Sequence, residues 1–121
     1  MSSRVVATVF DCRDAHAQAG FWCTALDLTV VRHWQDAHGV EYVEIGDDDG
    51  PGRLLFYPVP DRKQAKNRVH LDLRPTGPQY DEVARLVALG ARVVDDDPEQ
   101  EWVVLQDPEG NEFCVLPPRP A

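Results

Sequence analysis

At 121 residues the chain suits one domain and leaves little room for a second. Its 43% hydrophobic and 27% charged content is a globular balance, sufficient for a core without disulfides. A net charge of -9 repels phosphate backbones, the one basic cluster (Arg62, Lys63, Lys66, Arg68) is short and interrupted, and no apolar run is long enough to span a bilayer, so neither nucleic acid nor membrane is an expected partner.

Residues 5–10 are rich in β-branched side chains and predict a strand. Asp14 stands where a helix N-cap belongs, and Ala15, Ala19, Trp22 and Leu26 follow at helical spacing. Residues 29–34 and 40–45 predict two strands joined by a turn at 36–39. The Asp- and Gly-rich run 47–52 is turn chemistry, and 53–59 predict a further strand. The polar stretch 60–67 reads as a linker. Beyond it, 68–74 predict a strand. Pro78, after Thr76 and Gly77, is a good first-turn residue for a helix whose apolar face is Tyr80, Val83, Ala84 and Val87, with Gly90 as its stop. Strands at 91–94, 102–106 and 112–116 complete the chain, the last two joined by Asp107-Pro108-Glu109-Gly110.

The order is β-α-β-β-β twice, so an internal repeat is expected. Residues 25–31 align with 88–94 at an offset of 63, which also lays the 5–10 strand on 68–73. Residues 41–47 match 101–107 at an offset of 60. The modules then run from about 4 to 60 and from about 66 to 118.

Alternation along the strands separates two faces. Val69, Leu71 and Leu73 oppose Arg68, His70 and Asp72. Phe113 and Val115 oppose Glu112 and Cys114. Val103 and Leu105 oppose Trp102, Val104 and Gln106, and Val43 and Ile45 oppose Tyr42 and Glu44. A polar and aromatic face behind an apolar one fits a sheet enclosing a small-molecule pocket, although a half-buried sheet with one wet face gives the same pattern.

Three passages carry a resemblance to a known family: Phe21-Trp22 with Ala25-Leu26, the stretch 66–73 (KNRVHLDL), and the stretch 107–116 (DPEGNEFCVL). Together they resemble the glyoxalase-like and bleomycin-resistance proteins of the vicinal-oxygen-chelate superfamily, and the match covers nearly the whole chain. The resemblance implies a single α+β domain in which two βαβββ modules build an open, cup-shaped mixed sheet. Metal-dependent members place four ligands on it, from the first and last strand of each module. Carried over, the second-module positions are His70 and Cys114. The first-module positions are Ala7 and either Phe56 or Tyr57.

Ala7 has no donor atom and the remaining set is unusual, so no cofactor is expected; a divalent metal, if bound, would use His70 with Cys114 and Tyr57. The candidate ligand-binding residues are Tyr42, Glu44, Phe56, Tyr57, His70, Asp72, Trp102, Gln106, Glu112 and Cys114. Imidazole is the side chain best suited to proton transfer at physiological pH, so His70 with Glu112 forms the candidate catalytic pair. Cys114 reads first as a small buried hydrophobe rather than a nucleophile, and Trp102 and Tyr42 serve equally well as core aromatics. The expected function is binding of a small molecule without a complete metal site. The alternatives are a lyase, isomerase or dioxygenase using His70 and Glu112, and a protein-interaction module. A homodimer follows from the resemblance. Three cysteines without a CxxC pair, and no targeting segment before the first apolar run, point to a cytoplasmic protein with reduced thiols.

Overall fold

The computed structural model describes residues 2–47 and 52–119, so most of the predicted turn at 47–52 lies outside the described residues. The chain divides into two compact units, residues 1–62 and 63–121. The first contains β1 (Thr8–Cys12), α1 (Ala15–Leu26), β2 (Thr29–Gln35), β3 (Glu41–Gly46) and β4 (Leu54–Pro58), in the sheet order β1-β4-β3-β2. The second contains β5 (Leu71–Leu73), α2 (Gln79–Leu89), β6 (Arg92–Asp95), β7 (Val103–Gln106) and β8 (Glu112–Val115), in the order β5-β8-β7-β6. In each, the first and last strands pair in parallel and the other neighbours are antiparallel. The architecture is α+β, βαβββ twice.

The repeat is written into the strand ladders. Thr8 pairs with Leu54 as Leu71 pairs with Phe113, which keeps the offset of 63 for the first strands. Val43 pairs with Phe56 as Val103 pairs with Val115, which keeps the offset of 60 for the third strands and sets 59 for the last. The β2–β3 and β6–β7 ladders carry an irregularity at the same repeat position, between Val30 and Arg32 and between Val93 and Asp95. Both helices end alike. Asp27 and Gly90 take positive φ at the cap, and the next N–H, of Leu28 or Ala91, donates to the Cys23 or Leu86 carbonyl.

The helices bury different amounts. In α1 the Asp14 carboxylate accepts from the Ala17 N–H at 3.0 Å, and Ala15, Gln18, Ala19, Trp22 and Ala25 form a buried stripe. Trp22 packs edge-on against Phe10 and Phe21, and Phe10 against Phe56. Helix α2 buries only Val83 and Leu86. Its predicted apolar face is therefore corrected: Tyr80, Ala84 and Val87 are exposed. The Gln79 side-chain amide donates to the Glu101 and Val115 carbonyls and so fixes which side of α2 meets the sheet. Pro78 is also not the first helical residue. Its ψ of 138° is extended, and it stands at the cap, with Asp81 and Glu82 in the first turn favouring the helix dipole.

Two predicted strands begin later than expected. Val5, Val6 and Val69 are exposed, because the ladders start at Thr8 and Leu71, where β4 and β8 supply partners. An apolar alternation without a neighbouring strand does not make a strand.

Candidate functional site

Strands β5, β7 and β8 sort their side chains by alternation. Val103, Leu105, Phe113 and Val115 are buried on the face packed by α2. The alternate positions border a hollow of about 350 Å³, at the small end of ligand pockets. Trp102, Val104 and Leu116 are its apolar lining residues, and Lys66, His70, Asp72, Glu112 and Cys114 its polar ones. All eight residues belong to the second module.

The polar residues form two groups of contacts. His70 stands just before β5, with Nε2 3.3 Å from an Asp72 carboxylate oxygen, and both side chains are exposed. Asp72 is also the ladder neighbour of Cys114 across the parallel β5–β8 pair. Burial, and then the Asp72 carboxylate, push the Cys114 thiol up, against a smaller opposing pull from Lys66. Donor atoms of His70, Asp72 and Cys114 all lie within 4.8 Å of one another.

Glu112 forms the second group. Its Oε1 accepts from the Asn67 N–H at 2.8 Å and lies 3.0 Å from Lys63 Nζ, and its Oε2 accepts from the Gln106 amide at 3.2 Å. Burial alone would raise this carboxyl. The Asn67, Lys63 and Gln106 hydrogen bonds outweigh it and hold the group at about 2. Glu112 is therefore a fixed anion, poorly suited to carrying a proton near neutrality.

The other candidates lie in the first module. Tyr42 and Tyr57 stack at 5.1 Å, Trp34 stacks on Tyr42 at 5.1 Å, and the Arg32 guanidinium sits over Trp34. The Tyr42 hydroxyl donates to Asp36 at 2.9 Å. That bond, followed by burial and the Asp36 charge, raises the phenol to about 12. Glu44 is buried and accepts from Arg32 at 3.0 Å and Arg53 at 3.2 Å. Phe56 is corrected: it is fully buried, packed against Phe10 on the core face, and does not face a ligand. The register also settles the counterpart of Cys114. At the offset of 59 it is Leu55, while Tyr57 lies two residues along the same face.

The four-ligand metal set implied by the resemblance does not fit. Its first-module positions fall on Ala7 and Leu55, whose side chains hold no donor atom. Lys63, Val104 and Leu116 were missed as site residues. Val104 and Leu116 share the alternation of Cys114 and were readable from it. Lys63 gave no such signal, because it sat in a stretch that read as a linker and its partner is remote in the chain.

Paired βαβββ units in this order are the fold of glyoxalase and bleomycin-resistance proteins. The sequence model of the glyoxalase-like domain matches residues 7–116, and the chain belongs to that family, within the vicinal-oxygen-chelate superfamily. No curated protein matches it at a significant level. Among solved structures it is similar to the trypanothione-dependent glyoxalase I of Leishmania major, with 16% identity, 96% of this chain and 87% of that one covered, and a TM-score of 0.72. It is also similar to a mutant of the fosfomycin resistance protein FosX of Listeria monocytogenes, complexed with Mn(II) and a dihydroxypropylphosphonic acid, at 13% identity, 98% and 95% coverage and a TM-score of 0.70. A glyoxalase/bleomycin resistance protein/dioxygenase family enzyme of Burkholderia phytofirmans matches at 15% identity, 91% and 94% coverage and a TM-score of 0.68. At these identities the likeness is one of fold.

Proposed function

We propose that this protein binds a small molecule in the hollow of its second module, with an apolar or aromatic part against Trp102, Val104 and Leu116 and a polar end toward Lys66, His70 and Asp72. The observation that carries this reading is the hollow itself: about 350 Å³ lined by both apolar and polar side chains of one module. The Listeria FosX relative, whose ligand is a dihydroxypropylphosphonic acid, makes small oxygen-rich acids a natural first panel, beside aromatic carboxylates.

Trp102 is a built-in reporter, since Trp22 is buried in the first module and Trp34 is stacked there on Tyr42. A binding compound should change tryptophan fluorescence saturably in the native protein. Trp102→Phe should abolish the change and leave the urea midpoint nearly unmoved. A response that survives Trp102→Phe, or a whole panel without response, counts against the reading.

A second reading, a lyase, isomerase or dioxygenase of the same superfamily, finds support in the 3.3 Å approach of His70 Nε2 to the Asp72 carboxylate. Glu112, held near 2, is not a suitable partner for it, so proton transfer would fall to His70. His70→Ala should then stop turnover while fluorescence binding persists. Homodimerisation belongs to the same proposal, supported by exposed Val93 and Val94 on β6, and light scattering tests it. A cytoplasmic setting is also proposed, on the three cysteines that form no disulfide.

A further inference from the structure

We infer that the second module alone forms a zinc-type metal site from His70, Asp72 and Cys114, in place of the two-module ligand set that Ala7 and Leu55 exclude. The ion would share the hollow assigned above, and so rests on that assignment.

The geometry is close to what such an ion needs. Zinc takes nitrogen and oxygen ligands at about 2.0–2.2 Å and sulfur at about 2.3 Å, and a tetrahedral arrangement sets donors roughly 3–4 Å apart. His70 Nε2 and the Asp72 carboxylate are 3.3 Å apart. The whole set lies within 4.8 Å, so closure requires a shift of roughly 1 Å, reached by rotamer changes. The side chains that must move are free to do so, since His70 and Asp72 are 44% and 52% exposed. Cys114 is the fixed member, buried and held by the β5–β8 and β7–β8 ladders opposite Asp72 and Val104.

The donor chemistry chooses the ion. One sulfur, one imidazole nitrogen and one carboxylate make a mixed soft and hard set. Magnesium and calcium demand mostly oxygen ligands, whereas zinc and cobalt accept all three donor types. Coordination through sulfur sends the Cys114 thiol proton to solvent. Three protein ligands leave a fourth position, which would face the hollow beside Trp102.

Cobalt(II), added to chelator-treated protein, is the probe. A thiolate-to-cobalt charge-transfer band and visible bands of tetrahedral cobalt should grow to a single equivalent and collapse when zinc(II) is added. Cys114→Ser should remove the charge-transfer band, while Cys12→Ser and Cys23→Ser keep it. Because Cys114 is buried, the exposed pair provides an independent arm: His70→Ala and Asp72→Asn should each weaken cobalt binding by at least about tenfold while circular dichroism stays native. No charge-transfer band, or a band indifferent to all three site substitutions, overturns the inference. Ligand-induced fluorescence change at Trp102, measured in the same chelator-treated protein, keeps the two claims apart. If it persists where cobalt gives nothing, the hollow stands as a binding site and the metal site falls.

Discussion

The two modules repeat one ladder and use its polar face in opposite ways. In the first, that face is taken up by internal contacts: Trp34, Tyr42 and Tyr57 stack on one another, Tyr42 bonds Asp36, and Arg32 and Arg53 close on Glu44. In the second, Lys63, Asn67 and Gln106 close on Glu112 in a similar way, but His70, Asp72 and Cys114 remain beside a hollow. The comparison is sharpest at matched positions. Where the second module has His70 and Cys114, the first has Ala7 and Leu55. A duplicated fold can thus keep one copy as scaffold and leave donors in the other.

The largest effect should come from the first module's core. Phe56→Ala should cost about 3–5 kcal/mol in urea unfolding, because a fully buried ring leaves a cavity, whereas the adjacent Tyr57→Ala should cost about 1 kcal/mol through its lost stacking. Equal losses would break the assignment of the two faces.

Next is Glu112→Gln, expected to cost about 2 kcal/mol at neutral pH, since it removes charge-assisted bonds to Lys63 and Asn67. The carboxyl is lowered from 4.5 in the unfolded chain to about 2 in the fold. Its stabilisation is therefore present above 4.5 and is lost as pH falls from there through 2. Acid unfolding should be shallower across that window in the Gln variant than in the native chain. Parallel curves would show that Glu112 is not the anion described.

A smaller effect concerns Tyr42. The phenol held at about 12 should ionise late in an ultraviolet titration, and Tyr42→Phe should remove that late step alone. Here the shift is upward, so the stabilisation is present below the ordinary phenol range and is lost as pH rises toward 12. The smallest effect on stability is expected at His70→Ala, within about 0.5 kcal/mol, since the side chain is exposed and its loss should register in cobalt binding instead.

Much of this plan was legible in the chain. The 63 and 60 offsets, the paired βαβββ order and the alternation of Val103 and Leu105 against Val104 depend on local pattern, which periodicity reports directly. The last-strand register was not legible. Ile45 pairs with Leu54 nine positions on, whereas Leu105 pairs with Phe113 eight positions on, so the connection in the first module is one residue longer. A one-residue change moves every side chain to the other face, which is why Phe56 and Tyr57 could not be separated from sequence. The α2 face was misread for a related reason: the bonds from Gln79 that orient it go to Glu101 and Val115, far along the chain. The clamp on Glu112 was hidden likewise, since Lys63 and Asn67 come from a stretch that reads only as polar linker.

Amide chemical-shift mapping with the best compound from the panel tests the division between modules most directly. The account predicts perturbations centred on residues 66, 70, 72, 102, 104, 112 and 114, with Trp34, Tyr42 and Tyr57 silent. Shifts centred on the Trp34–Tyr42–Tyr57 stack, with the His70 region unmoved, would contradict it.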